Sequence, residues 1–195
     1  MDYSIKAYAE ALLEKYSADT ALVQLVTDML TYGAAAQQYA QHNTDALVTD
    51  GVVGLGTPSS ALPENTDKSL TTHVENPEGV RFTAATVWFD NVNKIGVKLS
   101  TPENARLFID GVEVTLSDEL YYYTEAIYAT EFDKVYTFEL YEGETLIQTL
   151  TYSVSSYVYS MMGKTEADGE TPTAMAELAK TLYNYGASAK AYKNS

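Results

Sequence analysis

The one tryptophan of this sequence is the side chain best suited to hold a flat ligand. Successive residues of a β-strand point to opposite faces, so Val87 and Phe89 share one face and Trp88 takes the other. If Val87 and Phe89 fill the core, Trp88 points outward and its indole can stack on a pyranose ring. The neighbouring Asp90 and Asn91 would then offer hydrogen bonds to the sugar hydroxyls. The opposite parity makes Trp88 a core residue, and the sequence leaves both open.

A run of three tyrosines supplies further aromatic rings. Burying a tyrosine is unfavourable unless its hydroxyl finds a partner, so Tyr121, Tyr122 and Tyr123 cannot all be core residues. We expect Tyr122 to face inward and Tyr121 and Tyr123 to be exposed, where they can stack on the same ligand as Trp88. Lys98, predicted to point outward from its strand, adds a hydrogen-bond donor. Exposed aromatic pairs also stabilise antiparallel sheets without binding any ligand, and this explanation remains open.

Residues suited to catalysis or metal binding form no recognisable motif. The chain has no cysteine, which excludes disulfides, thiolate metal sites and cysteine nucleophiles. His42 and His73 lie in polar segments without further ligands at suitable spacing, whereas a metal site needs several converging ligands. A hydrolase would need a pair of carboxylates, for which the candidates are Asp90, Glu113, Glu125, Glu131 and Asp133. With 27 acidic residues such pairs are unspecific, and we predict no catalytic residue, no metal and no cofactor.

The charge of the chain restricts its partners. Lys and Arg number 12 against 27 Asp and Glu, which gives a net charge of -15. Nucleic acids and anionic membrane surfaces would repel such a chain, so we expect neither as a partner. No apolar run approaches the roughly 20 residues of a membrane-spanning helix, which predicts no insertion into a membrane.

The segment 80–153 is predicted to form the scaffold that carries these aromatic residues. Its hydrophobic pattern has a period of two, which is typical of half-buried strands. Asp110-Gly111 is the strongest hairpin signal, because both residues tolerate positive φ, and residues 141–144 indicate a second turn. Seven strands in so short a segment predict a small antiparallel β-sandwich of immunoglobulin or fibronectin type. The predicted strands are 80–90, 94–101, 105–109, 112–116, 121–128, 135–141 and 145–153.

Two similar helical hairpins are predicted on either side of this scaffold, at 1–42 and 154–195. Each opens with an apolar stripe at helical spacing and closes with a Tyr-Gly-Ala motif, followed by another tyrosine seven residues after the first. The stripes are Ile5, Tyr8, Ala9, Leu12 and Leu13 in one copy and Val154, Tyr157, Val158, Met161 and Met162 in the other. The motif tyrosines, expected to pack between helices, are Tyr32 and Tyr39, then Tyr185 and Tyr192. Because the second hairpin emerges from a strand, we expect the first to follow a strand in a longer polypeptide.

Two connections complete the predicted α+β architecture. The segment 43–79 is rich in Thr, Asp, Gly, Ser and Pro and has no periodicity, which predicts a linker or a functional loop that closes over a ligand. Thr171-Pro172 predicts the N-cap and the first residue of the last helix.

The sequence resembles a module of large secreted proteins of gut Firmicutes. The resemblance covers the sandwich and both hairpins and is carried by residues 79–82 (Gly-Val-Arg-Phe), 108–114 (Phe-Ile-Asp-Gly-Val-Glu-Val), 150–154 (Leu-Thr-Tyr-Ser-Val) and 183–187 (Tyr-Asn-Tyr-Gly-Ala). Such proteins often carry dockerin or cell-wall anchoring modules. The resemblance therefore implies an extracellular or cell-surface setting, a fragment without its signal peptide, and other modules of the same polypeptide as partners. Similar noncatalytic proteins of ruminococcal starch-degrading systems bind α-glucan.

These observations predict a noncatalytic carbohydrate-binding module, with α-glucan such as starch as the ligand implied by the resemblance. The residues expected to bind it are Trp88, Asp90, Asn91, Lys98, Tyr121 and Tyr123. The alternative is a structural or protein-interaction spacer that presents other modules at a cell surface.

Overall fold

The described part of the chain is an α+β protein. The computed structural model describes residues 4–63, 68–75, 79–89, 92–101, 103, 105–117 and 120–195. These residues form four α-helices and two antiparallel sheets, as the fold class predicted. The chain divides into two compact units. The helical unit contains the residues up to Pro63 together with Val158–Ser195, and the β unit ends at Tyr157.

The helical unit begins with α1 (Ile5–Lys15) and α2 (Thr20–Ala40), which lie within the range 1–42 predicted to be helical. Ser4 caps α1 by accepting a hydrogen bond from the Ala7 N–H at 3.4 Å, and the Asp19 carboxylate caps α2. The two helices share one apolar cluster, which contains Ala9 and Leu13 of the predicted stripe on α1, whereas Ile5 and Tyr8 of that stripe are exposed. The buried residues of the cluster are Ala9, Leu13, Val26 and Leu30.

The last helix, α4 (Ala174–Lys193), packs against α2 within the helical unit. The Tyr32 and Tyr185 rings stack with centroids 6.1 Å apart and planes 4° apart. The Ser188 hydroxyl donates a hydrogen bond to the Asp28 carboxylate one turn away. Tyr32 comes after Asp28 on α2, but its partner Tyr185 comes before Ser188 on α4. The two helices are therefore antiparallel. Burial, and then the neighbouring Tyr185, raises the pKa of Tyr32, as expected for a phenol removed from water.

The start of α4 corrects the sequence analysis, which placed the N-cap at Thr171 and the first helical residue at Pro172. Thr173 is the cap instead, because its hydroxyl accepts a hydrogen bond from the Ala176 N–H at 3.1 Å. The Thr171 hydroxyl donates to the Asp168 carboxylate at 2.5 Å, and this bond is the largest cause that lowers the pKa of Asp168. Thr171 thus belongs to the preceding turn.

The β unit contains all seven predicted strands and one more. Its strands are β1 (Ser69–Thr72), β2 (Phe82–Phe89), β3 (Asn93–Leu99), β4 (Ala105–Ile109), β5 (Val112–Val114), β6 (Tyr122–Tyr123), β7 (Tyr136–Glu142) and β8 (Thr145–Tyr152). The larger sheet has the order β1-β8-β7-β4-β5, and the smaller sheet has the order β2-β3-β6. Strand β8 leads into α3 (Val154–Met162), whose first turn is part of the β unit.

Both predicted hairpin turns are confirmed. Asp110 and Gly111 join β4 to β5 with φ values of 50° and 80°, the left-handed conformation that a two-residue hairpin needs. Gly143, with φ of 59°, joins β7 to β8. Asp110 also ties its turn to β7, since its carboxylate accepts a hydrogen bond from the Thr137 N–H at 2.9 Å.

Each sheet has one buried apolar face, and a glutamine connects the two sheets. The Gln148 side-chain carbonyl on β8 accepts a hydrogen bond from the Phe82 N–H at 2.9 Å, and its amide donates to the Thr72 hydroxyl at 3.1 Å. Gln148 is almost fully buried, so satisfying both ends of its amide offsets the cost of removing it from water. The buried apolar residues of the strands include Val87, Ile95, Val97, Leu107, Phe138, Leu140 and Leu150.

The segment 43–79, predicted as one loop or linker, is divided between the two units. Val48, Val52 and Leu55 pack against the apolar cluster of α1 and α2. Further on, Ser69–Thr72 forms β1 and pairs with β8 at the edge of the larger sheet. Two pieces of this segment, 64–67 and 76–78, lie outside the described residues.

Candidate functional site

The outward face of the smaller sheet carries the candidate site. Strands β2 and β3 pair with Trp88 opposite Lys94 and Thr86 opposite Gly96. Val87 between them is 6% exposed, whereas Trp88 is 38% exposed. Trp88 therefore points away from the buried face, which is one of the two parities that the sequence left open.

Trp88, Tyr121 and Tyr123 form a contiguous group that we call the aromatic cluster. The indole lies edge-on to Tyr121 and Tyr123, at centroid distances of 5.5 and 5.9 Å and interplanar angles of 79° and 81°. The two phenol rings stack on each other at 5.9 Å and 23°. Both tyrosines are half-buried, and each such aromatic pair adds about 0.5–1.5 kcal/mol beyond the area it buries. The cluster is thus held by its own contacts while part of the indole stays open to solvent.

Gly96 lies directly beneath the aromatic cluster on β3. A Cβ atom at this position would lie 2.9 Å from the Trp88 Nε1 and 2.9 Å from the Tyr123 Cε1, which is closer than real Cβ contacts. Because Gly96 has no side chain, the Trp88 and Tyr123 rings can pack directly against the backbone of β3. Gly96 is buried by the rings above it.

Two lysines border the cluster on the same face as Gly96. The Lys94 Nζ lies 5.7 Å from the centre of the Tyr123 ring, and the Lys98 Nζ lies 5.5 Å from the centre of the Tyr121 ring. These are cation–π distances, which at exposed sites contribute about 0.5–1 kcal/mol each. Each ammonium group also keeps hydrogens that can be donated to a ligand oxygen.

The position of the two outer tyrosines depends on the inward residues between and beside them. Tyr122 is 3% exposed, as predicted, and burial raises the pKa of its hydroxyl. Two residues on, the Thr124 hydroxyl accepts a hydrogen bond from the Ile95 N–H at 3.0 Å, a donor that a regular ladder would pair with a backbone carbonyl. Strand β6 spans only Tyr122–Tyr123, whereas the sequence predicted a strand over 121–128.

Tyr121 precedes the strand and is held by a turn. The Ser117 N–H donates to the Tyr121 carbonyl at 2.9 Å, and the Tyr121 N–H donates to the Ser117 hydroxyl at 3.2 Å. These two bonds fix the backbone that carries the Tyr121 ring over Lys98.

The structure brings four of the six predicted ligand residues together, namely Trp88, Lys98, Tyr121 and Tyr123. Asp90 and Asn91 lie outside the described residues. Sequence reasoning missed Lys94 and Gly96. Both could have been found from the two-residue period of β3, which places them on the face of Lys98.

Two other candidate side chains, Glu113 and His73, have partners on the larger sheet. The Glu113 carboxylate is bound by the Arg106 guanidinium at 2.9 and 3.1 Å, and this hydrogen bond is the main cause that lowers the pKa of Glu113. A lowered pKa keeps Glu113 ionised, which is unsuited to a general acid. The His73 imidazole bonds the Thr149 hydroxyl at 2.9 Å. Across the described ranges, no three potential metal-ligating side chains come together, and no helix has the length and apolar character to cross a bilayer.

The chemistry available at this face is ring stacking combined with hydrogen-bond donation. Flat apolar surface from the aromatic cluster lies beside two ammonium groups, an arrangement suited to a ligand with both C–H faces and hydroxyl groups. No family model, curated protein or solved structure matches the chain. The function is therefore inferred from this geometry and from the sequence.

Proposed function

We propose that the protein is a noncatalytic carbohydrate-binding module and that the aromatic cluster is its binding surface. The observation that carries the proposal is the 38% exposure of Trp88 on top of two packed tyrosines. An indole held open to water on a rigid platform loses little conformational freedom when a ligand stacks on it. The C–H face of a pyranose is apolar and flat enough to cover such a ring.

Hydrogen bonds at the border of the aromatic cluster would orient the sugar. Lys94 and Lys98 can each donate to a hydroxyl or ring oxygen. Asp90 and Asn91 follow Trp88 in sequence and supply further polar groups in this proposal. α-Glucan is the preferred ligand, and the setting is extracellular or on a cell surface, both as implied by the sequence resemblance.

We also infer that the two sheets form an immunoglobulin-like sandwich. The sheets each bury one apolar face, and Gln148 hydrogen-bonds residues of both, which supports face-to-face packing.

We further infer that the helical hairpins are two copies of one unit. The equivalent tyrosines Tyr32 and Tyr185 stack on each other, as expected where a duplicated surface meets itself. The N-caps repeat as well. Ser4 accepts a hydrogen bond from the N–H three residues on, and so does Ser153 at 2.9 Å.

Affinity electrophoresis tests carbohydrate binding directly. The chain is run through native gels that contain starch, xylan or β-glucan, beside Trp88→Ala and the control Tyr128→Ala. Tyr128 is a 70% exposed tyrosine of the β unit that makes no ring contact with the cluster. We expect starch to retard the parent and Tyr128→Ala alike, and Trp88→Ala to bind about 30-fold more weakly, since a central aromatic anchor contributes about 2 kcal/mol or more.

Two results would count against the proposal. Unretarded migration of the parent in every gel would favour the spacer function, and retardation that survives Trp88→Ala would remove the aromatic cluster as the site. Release of reducing sugar from the same polymers would instead identify a hydrolase.

A further inference from the structure

An apolar groove runs between α1 and α2 in the helical unit. Beside Ser4, its lining is almost entirely apolar and includes Ile5, Tyr8, Leu12, Leu22, Leu25 and Met29. Ile5 and Tyr8 are 65% and 64% exposed although they belong to the predicted core stripe of α1. Large apolar side chains grouped in this way on a surface usually mark a site of contact.

The equivalent positions of the second hairpin lie in a different environment. Val154 and Tyr157 occupy the positions of Ile5 and Tyr8 in the repeated pattern, and they are 0% and 8% exposed. Leu178, the counterpart of the groove residue Leu25, is 6% exposed. Ile5 and Tyr8 are thus open to solvent at positions whose counterparts in the second hairpin are buried.

The β unit identifies what covers the first turn of α3. Strand β8 ends at Tyr152 and passes through Ser153 directly into the helix. The Ser155 N–H and hydroxyl both donate to the Phe132 carbonyl, at 3.0 and 3.1 Å, within the β unit. In sequence, Tyr3-Ser4 stands before α1 as Tyr152-Ser153 stands before α3.

We propose that the groove between α1 and α2 is the docking surface for a β module of the same kind as the β unit, which packs on α1 as the β unit packs on the first turn of α3. This inference rests on the proposed correspondence between the hairpins and is independent of carbohydrate binding. A second copy of the chain is a poorer occupant, because its own β unit already holds the first turn of its own α3. An anionic lipid surface would be repelled by the net charge of -15.

The test uses the absence of cysteine from the chain. Tyr8→Cys and the control Tyr16→Cys each introduce a single thiol on the first hairpin, and Tyr16, 42% exposed, lies outside the groove. Maleimide labelling rates are compared in the chain as it stands and in a tandem chain with a second copy of residues 64–151 joined directly before Tyr3. We expect labelling at Tyr8→Cys to be at least about tenfold slower in the tandem chain and labelling at Tyr16→Cys to be unchanged, because covered sites react only through local opening.

Equal labelling of Tyr8→Cys in both chains would overturn the proposal. So would protection that appears in the original chain as its concentration rises, since a second copy would then be the occupant. Should the tandem chain fail to fold, Ile5→Asp in the original chain decides. If the groove is an open docking surface, Ile5→Asp leaves the Tm unchanged and weakens the binding of an apolar dye. A fall in the Tm of Ile5→Asp as large as that of Val154→Asp would show that Ile5 belongs to the chain's own core.

Discussion

Gly96 sets how closely the aromatic rings approach the sheet at the candidate site. The indole and the Tyr123 ring both come within van der Waals reach of the position where a Cβ would stand. A glycine in the middle of a strand weakens that strand because it has no side chain to pack. Aromatic rings that cover the glycine restore the lost packing. The geometry of the aromatic cluster therefore depends on a residue with no side chain.

Gly96→Ala is predicted to displace the cluster without unfolding the β unit. The added methyl group, 2.9 Å from ring atoms of Trp88 and Tyr123, forces both rings outward. We expect the fluorescence of the single tryptophan to shift to the red and quenching by iodide to increase. Starch affinity should fall about tenfold, which corresponds to about 1.4 kcal/mol. Gly163→Ala is the matched control, because a Cβ there meets nothing within 4 Å, and an identical change in both variants would contradict the prediction.

Buried tyrosines predict a loss of stability at alkaline pH. Burial is the largest cause that raises the pKa of Tyr32, Tyr122 and Tyr136. Above the ordinary tyrosine pKa of about 10 the unfolded chain loses these protons while the folded chain retains them, so the unfolded state binds fewer protons and stability falls as pH rises. Below that pH the three groups have no such effect.

Tyrosinate absorbance near 295 nm measures this effect during titration. We expect the parent to show a late, cooperative ionisation step that coincides with loss of the circular dichroism signal. Tyr122→Phe should reduce the amplitude of that step, because it removes one of the buried hydroxyls. A parent curve with a single early step would contradict the prediction.

At the residue scale, the sequence predicted the inward Tyr122 but not the outward Trp88. In a run of three tyrosines, burial of all three phenols is too costly, so the residues must divide between the inward and outward faces of the strand. Trp88 has no such constraint, since a tryptophan suits a core and a surface equally well. Its orientation followed only from the pairing that places it opposite Lys94 and beside the buried Val87.

At the scale of elements, Asp28 connects three segments of the helical unit. Its carboxylate on α2 accepts hydrogen bonds from the Ser59 N–H at 2.8 Å, the Ser59 hydroxyl at 2.7 Å and the Gln24 amide at 3.1 Å. It also accepts a hydrogen bond from the Ser188 hydroxyl of α4. Asp28 is 1% exposed, so these donors take the place of water around its side-chain oxygens.

Asp28→Ala is predicted to destabilise the helical unit by about 3 kcal/mol, since the buried Ser188 hydroxyl and the partly buried donors of Ser59 and Gln24 lose their acceptor, and each orphaned buried group costs about 1–3 kcal/mol. Urea denaturation followed by circular dichroism measures the change. Asp45→Ala, at an exposed loop position, is the control and should remain within about 0.5 kcal/mol of the parent. Equal stability of the two variants would show that the network adds nothing.

Sequence periodicity predicted the elements better than it predicted their ends. The hairpin at Asp110-Gly111 was predictable because positive φ has a local residue preference. The cap of α4 was not, because Asp168 engages Thr171 and leaves Thr173 to cap the helix. Strand β1 also escaped prediction, since its four exposed residues carry no apolar alternation and owe their conformation to pairing with β8.

At the scale of the whole molecule, the net charge of -15 is predicted to make stability depend on salt. Repulsion among the carboxylates destabilises the compact state, and salt screens it. The exposed pairs of Arg106 and Lys134 with carboxylates weaken at the same time, but such pairs contribute only about 0–1 kcal/mol each.

Thermal unfolding in increasing NaCl tests this balance. We expect Tm to rise between low and moderate ionic strength, by about 2–4 °C for each kcal/mol of repulsion removed. Sucrose at matched osmolality is the control and should not reproduce the salt dependence at low concentration. A Tm that falls with added NaCl would mean that favourable ion pairs outweigh the repulsion.

Composition and periodicity predicted the α+β class of the whole chain, but they did not predict which apolar stripe is covered. The stripes on α1 and α3 have the same spacing, but Ile5 and Tyr8 of the first are exposed whereas Val154 and Tyr157 of the second are buried. Burial depends on what lies opposite a helix face, and that information is absent from the helix sequence itself.

The stacking of Tyr32 on Tyr185 has a consequence for behaviour at high concentration. Tyr32 lies on α2 and Tyr185 on α4, so the stack joins two helices that are far apart in sequence. Exchange of α4 between two chains would preserve this contact and the Ser188–Asp28 hydrogen bond. We therefore expect domain-swapped dimers when this protein is refolded in concentrated solution.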